Sequence, residues 1–263
     1  MSEDRSTPFD AVADNYDAKF SDAALGVLLR TRIWRVLHQS MPDSGALLEL
    51  GCGTGEDALH MASRGAHVTA TDVSEKMCAL TATKTASLQV NTALLNLNTP
   101  ADSVVQGPFD GAWSSLGPLN CVADRQPFWR WLTEHLQPDA PVVLIIMNKW
   151  TPWDWFWFGI HGQWQAATRR FRSGQLAHAG AGSTISVWYP GWRTVAAECS
   201  EHFVCERVEG LGVLLPISEA AHLVDRWPKV FEVLGQLERF VCRLPLFRSL
   251  SDHYIIQLRR RSR

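Results

Sequence analysis

Apolar positions along this chain recur in two rhythms, one of helices and one of strands. In SDAALGVLLRTRIWRVLHQS, residues 21–40, Leu25, Leu28, Leu29, Ile33, Val36 and Leu37 fall at helical spacing. MPDSG at 41–45 breaks that pattern. Residues 46–50 then form a short apolar run that reads as a strand, 56–64 reads as a helix closed by Gly65, and 66–71 as a second strand. Ser74 is placed to N-cap the next helix. A third strand is predicted at 93–97, a fourth at 110–114, a helix at 128–136, and the most apolar strand at 142–147. Strands alternating with helices in this way predict βαβ units and a parallel sheet covered on both faces.

The pattern changes after residue 149. Residues 150–185 are first aromatic, then basic (Arg169, Arg170, Arg172), then small (HAGAGST). Two late strands are predicted at 203–208 and 254–259, with a helical stretch at 218–247 between them. The chain therefore reads as a single domain over 1–263. It has a helical cover at 1–42, a core at 43–149 and an aromatic lid at 150–190; the last strands, with their helical insertion, occupy 191–263.

Composition adds little except at tryptophan. The 263 residues are 46% hydrophobic and 20% charged with a net charge of −2, so the whole chain has no general attraction to nucleic acid or anionic membrane. The RRRSR end reads as a solvated tail. Six cysteines (52, 78, 121, 199, 205, 242) form no CxxC pair, which argues against a metal site or a disulfide framework. MSEDRSTPFD lacks the apolar run of a signal peptide, and the expectation is a cytoplasmic protein with reduced thiols. Five of the twelve tryptophans lie between Trp150 and Trp164.

The candidate chemistry begins in LLELGCGTGEDALHMA, residues 47–62, where Gly51, Cys52, Gly53, Thr54 and Gly55 follow a strand directly. Glycines in a strand-to-helix turn at the edge of a parallel sheet let a ligand approach the main chain. Asp72, at the end of the next strand, is placed to take ribose hydroxyls. Glu49, Glu56 and Asp57 surround the turn and would repel a pyrophosphate. They suit a cofactor with a cationic end, such as S-adenosylmethionine.

The segment E-L-G-C-G-T-G at 49–55 resembles the signature turn of class I S-adenosylmethionine-dependent methyltransferases, and F-D-A-V-A-D-N-Y-D at 9–17 resembles a segment that often precedes that domain. The resemblance implies a Rossmann-like three-layer αβα sandwich. Its seven-stranded, mostly parallel sheet would run in the order 3-2-1-4-5-7-6, with helical insertions after the fifth and sixth strands. It also implies a closing role for Tyr16 and an adenine contact from Asn96, with Asn98 as the competing choice. The cofactor set is then Tyr16, Glu49, Gly51, Cys52, Gly53, Gly55, Asp72, Val73, Asn96, Leu97, Ser114 and Leu116. Asn120 joins Ser114 and Leu116 along the crevice. The N-P-P-Y or D-P-P-Y motifs of nucleic-acid amino-methylating enzymes and the Pro-Cys pair of cytosine-C5 enzymes are absent from this stretch.

The acceptor is read from TPWDWFWFGIHGQW at 151–164. Its aromatics are read in three ways: as a local core, as the wall of a pocket for a planar or isoprenoid-like acceptor, or as a transient membrane contact beside Arg169, Arg170 and Arg172. His161 is the candidate general base and Asn148 the candidate orienting group, with Tyr189 and His253 as weaker choices. Residues 209–216, EGLGVLLP, read as core in preference to a second pocket wall. The overall expectation is methylation of a small or lipid-like apolar metabolite on O, N or C. No metal and no nucleic-acid partner are expected. A nicotinamide-dependent oxidoreductase, a non-catalytic binder of S-adenosylmethionine or S-adenosylhomocysteine, and a protein- or RNA-methylating enzyme are the alternatives.

Overall fold

The apolar runs form β1 (Ala46–Leu50), β2 (His67–Asp72), β3 (Val90–Leu94), β4 (Gly111–Ser114) and β5 (Pro141–Met147); β6 (Gln175–Gly180) and β7 (Ser183–Val187) follow, and then β8 (Phe203–Leu211) and β9 (His253–Arg260). The helices are α1 (Ala24–Ser40), α2 (Glu56–Ala62), α3 (Glu75–Lys84), α4 (Gln126–His135), α5 (Pro152–Ile160), α6 (Trp164–Ala167), α7 (Trp192–Glu198), α8 (His222–Arg226) and α9 (Pro228–Val241). This computed structural model describes residues 7–10, 13, 17, 23–172, 174–180 and 183–262.

Seven strands form one sheet in the order β3-β2-β1-β4-β5-β9-β8. With the β6–β7 hairpin set aside, this is the predicted order 3-2-1-4-5-7-6. The first five strands are parallel, and β9 runs antiparallel to both β5 and β8. Alternate residues of the central strands serve opposite faces, as a doubly covered sheet requires. Along β5, Val142, Leu144 and Ile146 join a core with Phe128, Trp129 and Leu132 of α4. Val143 and Ile145 join a second core with Ile33 and Leu37 of α1, Ala58 and Met61 of α2, and Phe231 of α9.

Two departures from the sequence expectation matter for the site. The third strand ends at Leu94 rather than 97, so Asn96 and Leu97 lie in the loop beyond its C-terminal end. The insertion after β5 is not wholly helical: past α5 and α6 it ends in the antiparallel hairpin β6–β7, with Gln175 opposite Val187 and Ala177 opposite Ile185. The second insertion, after β8, is helical as expected.

The order β2-β1-β4 places a topological switch between β1 and β4, where the following helices leave on opposite faces. In open α/β sheets ligands bind at the carboxyl ends of the strands beside such a switch.

Candidate active site

The turn between β1 and α2 is held by its own amides. Gly51 and Cys52 both donate to the Thr71 carbonyl at 2.8 Å, and Gly55 donates to the Cys52 carbonyl at 2.9 Å. The Gly53 amide donates to Asp72 Oδ2 at 3.0 Å, and Asp72 Oδ1 accepts from the Ser74 amide at 3.0 Å. Asp72 thus ties the turn to the start of α3, where Ser74 Oγ caps the Met77 amide at 3.0 Å. Burial pushes the Asp72 carboxyl above its ordinary value, against the pull of those amides.

These hydrogen bonds bear directly on the cofactor class. A pyrophosphate site depends on free amides at the turn and helix start. Here the amides of Gly51, Cys52, Gly53 and Gly55 are spent inside the protein, and that of Gly53 already faces a carboxylate. Two of the three acids around the turn are already compensated. Asp57 is paired with Arg30 at 2.8 Å and accepts from Trp34 Nε1 at 2.7 Å, while Glu56 pairs with Lys84 at 2.5 Å. The spent amides disfavour a phosphate more directly than the three acids do.

A cavity of about 550 Å³ opens at this edge, within the range of small-molecule sites. Gly51, Gly53, Asp72, Val73, Met77, Leu95, Asn96, Leu97 and Asn98 line one part. Ser115, Leu116, Gly117, Pro118, Cys121, Val122 and Met147 line the part below β4 and β5, and Ala177, Ile185, Ser186, Val187 and Trp188 bring in the hairpin. Thr7, Pro8 and Phe9 complete the lining from the N-terminal segment. That segment is fastened by Asp10, which accepts from Ser74 Oγ at 2.5 Å and from the Thr7 amide. Asp17 is held by Thr54 Oγ1 at 2.5 Å and Lys84 Nζ at 2.7 Å.

Of the predicted cofactor set, Gly51, Gly53, Asp72, Val73, Asn96, Leu97 and Leu116 come together around the cavity, and Asn98 lies beside Asn96. Asn96 Oδ1 accepts the Asn98 amide at 3.0 Å, and Asn98 Nδ2 reaches the Cys121 carbonyl at 3.2 Å. Glu49, Cys52, Gly55 and Ser114 stand behind the lining. Ser114 Oγ donates to the Leu50 carbonyl at 2.8 Å, and Cys52 Sγ lies 3.4 Å from Thr81 Oγ1. Glu49 is buried with Oε1 accepting from Trp113 Nε1 at 3.2 Å, and its Oε2 has no partner among the described residues. Burial, then the charge of Asp57, drives its carboxyl well above the ordinary range. Tyr16 lies outside the described residues.

Neither predicted catalytic residue reaches the cavity. His161 is exposed beyond the end of α5, with Nδ1 bonded to the Trp157 carbonyl at 2.7 Å. Asn148 is buried, but its amide donates to the Ser249 carbonyl at 2.8 Å and its Oδ1 accepts the Lys149 amide. It anchors the end of β5 to the loop before β9. Asn120, expected along the crevice, is also spent: it bonds Met147 at both N–H (2.8 Å) and C=O (3.1 Å), and the Trp188 carbonyl at 2.7 Å. Tyr189 stacks beneath the Arg170 guanidinium, and His253 Nδ1 lies 3.1 Å from Asp252.

The aromatic stretch is not the wall of this cavity either. Phe158 of α5 packs with Ile217 and Ala220, and Trp153 and Trp157 lie against that cluster, so this side of the helix is a local core. Two of the three arginines beside it are internal ties. Arg170 is buried between Asp154 (2.8 Å) and Asp252 (2.5 Å), and Arg169 pairs with Asp154 and Glu219.

Sequence reasoning missed the hairpin wall, although Thr184, Ile185, Ser186 and Val187 alternate with period two. It also missed Thr7 and Ser115, of which Ser115 has a buried hydroxyl oxygen with no hydrogen-bond partner among the described residues.

The comparisons agree with this geometry. The family described as "Methyltransferase domain" matches residues 47–139. YqeM of Bacillus subtilis (strain 168), a protein named as a methyltransferase, is 40% identical over 53 residues, which span 20% of this chain and 22% of that relative. Among solved structures, a Listeria monocytogenes protein assigned as an S-adenosylmethionine-dependent methyltransferase aligns with TM-score 0.58 at 17% identity, covering 87% of this chain and 96% of its own. The CcbJ methyltransferase of Streptomyces caelestis aligns with TM-score 0.60 at 15% identity, covering 98% and 100%. Residues 47–139 thus match the methyltransferase-domain family, and the chain built around them has the fold seen in class I S-adenosylmethionine-dependent methyltransferases.

Proposed function

We propose that this chain transfers a methyl group from S-adenosylmethionine to a small, largely apolar acceptor held against the β6–β7 hairpin. The carrying observation is one cavity with two chemically different ends. At one end are the glycine turn and Asp72; at the other, Leu116, Met147, Ile185, Val187 and Trp188. The residues present fit the cofactor. A Cβ placed on Gly53 would meet nothing within 4 Å, so the turn leaves open space where a ligand must lie close to the main chain. One hydroxyl of the lining, that of Ser115, has no partner among the described residues and is available to a ligand's polar atom. Asp72, Val73, Asn96 and Leu97 would hold the nucleoside, and the Glu49 carboxyl lies behind the turn.

When bound, S-adenosylmethionine supplies a methyl group activated by a sulfonium. The protein's part is alignment and the exclusion of water. Two titratable side chains occur in the described lining, and neither is a free base at neutral pH. Asp72 is engaged by two amides, and the Cys121 thiol is pushed up to about 11, by burial first and then by Asp72. The acceptor's own nucleophilic atom therefore carries the reactivity, and Ser115 and the hairpin position it. This reading assigns no catalytic role to His161 or Asn148.

Calorimetric titration with S-adenosylmethionine and NAD, followed by methyl release with a panel of apolar phenols, amines and carbon acids, tests the proposal. Asp72→Ala and Gly53→Leu should each lower affinity for S-adenosylmethionine more than about tenfold, or about 1.4 kcal/mol. Near-normal binding in both variants, or tighter binding of NAD, would refute the site. Binding without methyl release to any of the panel would favour the non-catalytic alternative.

A further inference from the structure

Helix α9 carries an apolar stripe that nothing covers among the described residues. Its inward side is accounted for: Phe231 is in the core, and buried Glu238 accepts the amides of Gly212 at 2.7 Å and Leu214 at 3.1 Å. Rotated away from that side, Val230, Val233, Leu237 and Phe240 follow one another at spacings of three and four, and Leu244 stands just past the end of the helix. All five are about half exposed or more. Scattered surface apolar residues call for no explanation, but a row in helical register does. The neighbouring insertion repeats the feature. Leu223 of α8 packs against the α5 cluster and His222 lies 5.4 Å from the Trp157 ring, while α5 and α6 turn Phe156, Ile160 and Trp164 outward at 59%, 62% and 69% exposure.

The charges beside the stripe select its occupant. On its solvent side the flanking positions recur every seven residues as Lys229, Gln236 and Arg243. Arg243 bonds Glu209 through Nε at 2.9 Å and remains half exposed. Arg226 and Arg239 lie over the rings of Trp227 and Phe240, at 5.8 and 4.8 Å. Of the segment's exposed acids, Asp225 precedes α9, and Glu232 stands one turn from Lys229 on the same flank. A second copy laid antiparallel on the stripe would set Lys229 against Arg243, a like-charge contact. Anionic headgroups would complement both, and tryptophan at a wet–apolar boundary suits its amphipathic ring.

We propose that α9, with the outward side of α5 and α6, lies in the plane of an anionic lipid surface and docks the protein there. The chain's net charge of −2 does not oppose this, because around the stripe Arg226, Lys229, Arg239 and Arg243 outnumber the exposed acids Asp225 and Glu232. The proposal is independent of methyl transfer and needs no cofactor. It is tested by cosedimentation of the full chain with vesicles of phosphatidylcholine alone or mixed equally with phosphatidylglycerol. The double variant Leu237→Glu/Phe240→Glu serves as the comparison. Binding to the mixed vesicles, weakened by salt and reduced about tenfold or more in the variant, is the result expected. The variant should still bind S-adenosylmethionine like the parent, since both residues lie outside the cavity lining. No sedimentation with the mixed vesicles, equal binding to phosphatidylcholine alone, or equal binding by the variant would overturn the proposal. So would a dimer in sedimentation velocity that the variant converts to monomer, which would make a second copy the occupant.

Discussion

At Gly51, Gly53 and Gly55, all at positive φ, the missing β-carbons answer to different neighbours. A Cβ at Gly51 would fall 2.2 Å from Pro118, and one at Gly55 2.7 Å from Thr81, so these two glycines allow close packing inside the protein. Only Gly53 faces open space. Behind them, Glu49 lies in a setting that disfavours its charge. Its carboxyl is buried, has one partner in Trp113 and stands near Asp57, so its folded value is raised well above the ordinary 4.5. Between those two values the folded chain holds a proton that the unfolded chain has released, so Glu49's contribution to stability falls as pH rises through that interval. Glu49→Gln should remove this fall. Denaturant melts of both proteins from pH 4 to 8 should show the parent losing stability relative to the variant by up to about 1.4 kcal/mol per pH unit within the interval. A pH-independent difference between them would show that the folded carboxyl titrates at its ordinary value.

The elements divide into those whose pattern decides their place and those that depend on distant partners. The strands β1, β2, β4 and β5 were legible because each is a short apolar run closed by turn residues, and the sheet order followed from the resemblance of the glycine turn. The third strand was placed three residues late because Ala93, Leu94, Leu95 and Leu97 look like its centre. On an edge strand, however, pairing with β2 decides the register, and Asp72 pairs with Leu94. The hairpin is hidden for another reason: the insertion after β5 is expected to be helical, and only closure over the cavity gives its small residues a role. Asn120 makes that closure. It is fully buried, and its side chain joins the end of β5 to Trp188 just after β7. Asn120→Ala strands three backbone groups at a cost of about 1–3 kcal/mol in stability. Because Asn120 does not line the cofactor end, the acceptor KM should rise several-fold while affinity for S-adenosylmethionine, measured by calorimetry, changes less than twofold. An equal loss of both would mean that the clasp supports the whole cavity.

Over the whole molecule, the cavity is assembled from parts with unequal stakes in the fold. Its floor is the carboxyl edge of a sheet whose two cores together run from Leu25 to Leu258. Its cover includes Thr7, Pro8 and Phe9, which line the cavity yet belong to neither core. Asp10 ties this cover to Ser74, the residue that caps α3 and whose amide bonds Asp72. The hydrogen bonds from Ser74 and Thr7 outweigh burial and hold the Asp10 carboxyl below its ordinary value. A segment fastened to the ligand rim but absent from the core should contribute more to ligand retention than to folding. Deleting residues 1–10 should therefore leave the melting temperature of the ligand-free protein within about 2 °C of the parent, a change of about 1 kcal/mol or less. Ligand at 100 times the parent's dissociation constant stabilises the parent by about 2.7 kcal/mol. A tenfold weaker deletion variant, at that same concentration, would gain about 1.4 kcal/mol, roughly half as much. Thermal melts of both proteins with and without S-adenosylmethionine read the two effects separately. An equal drop in the ligand-free melting temperature would place the segment in the folding core instead of in the cover.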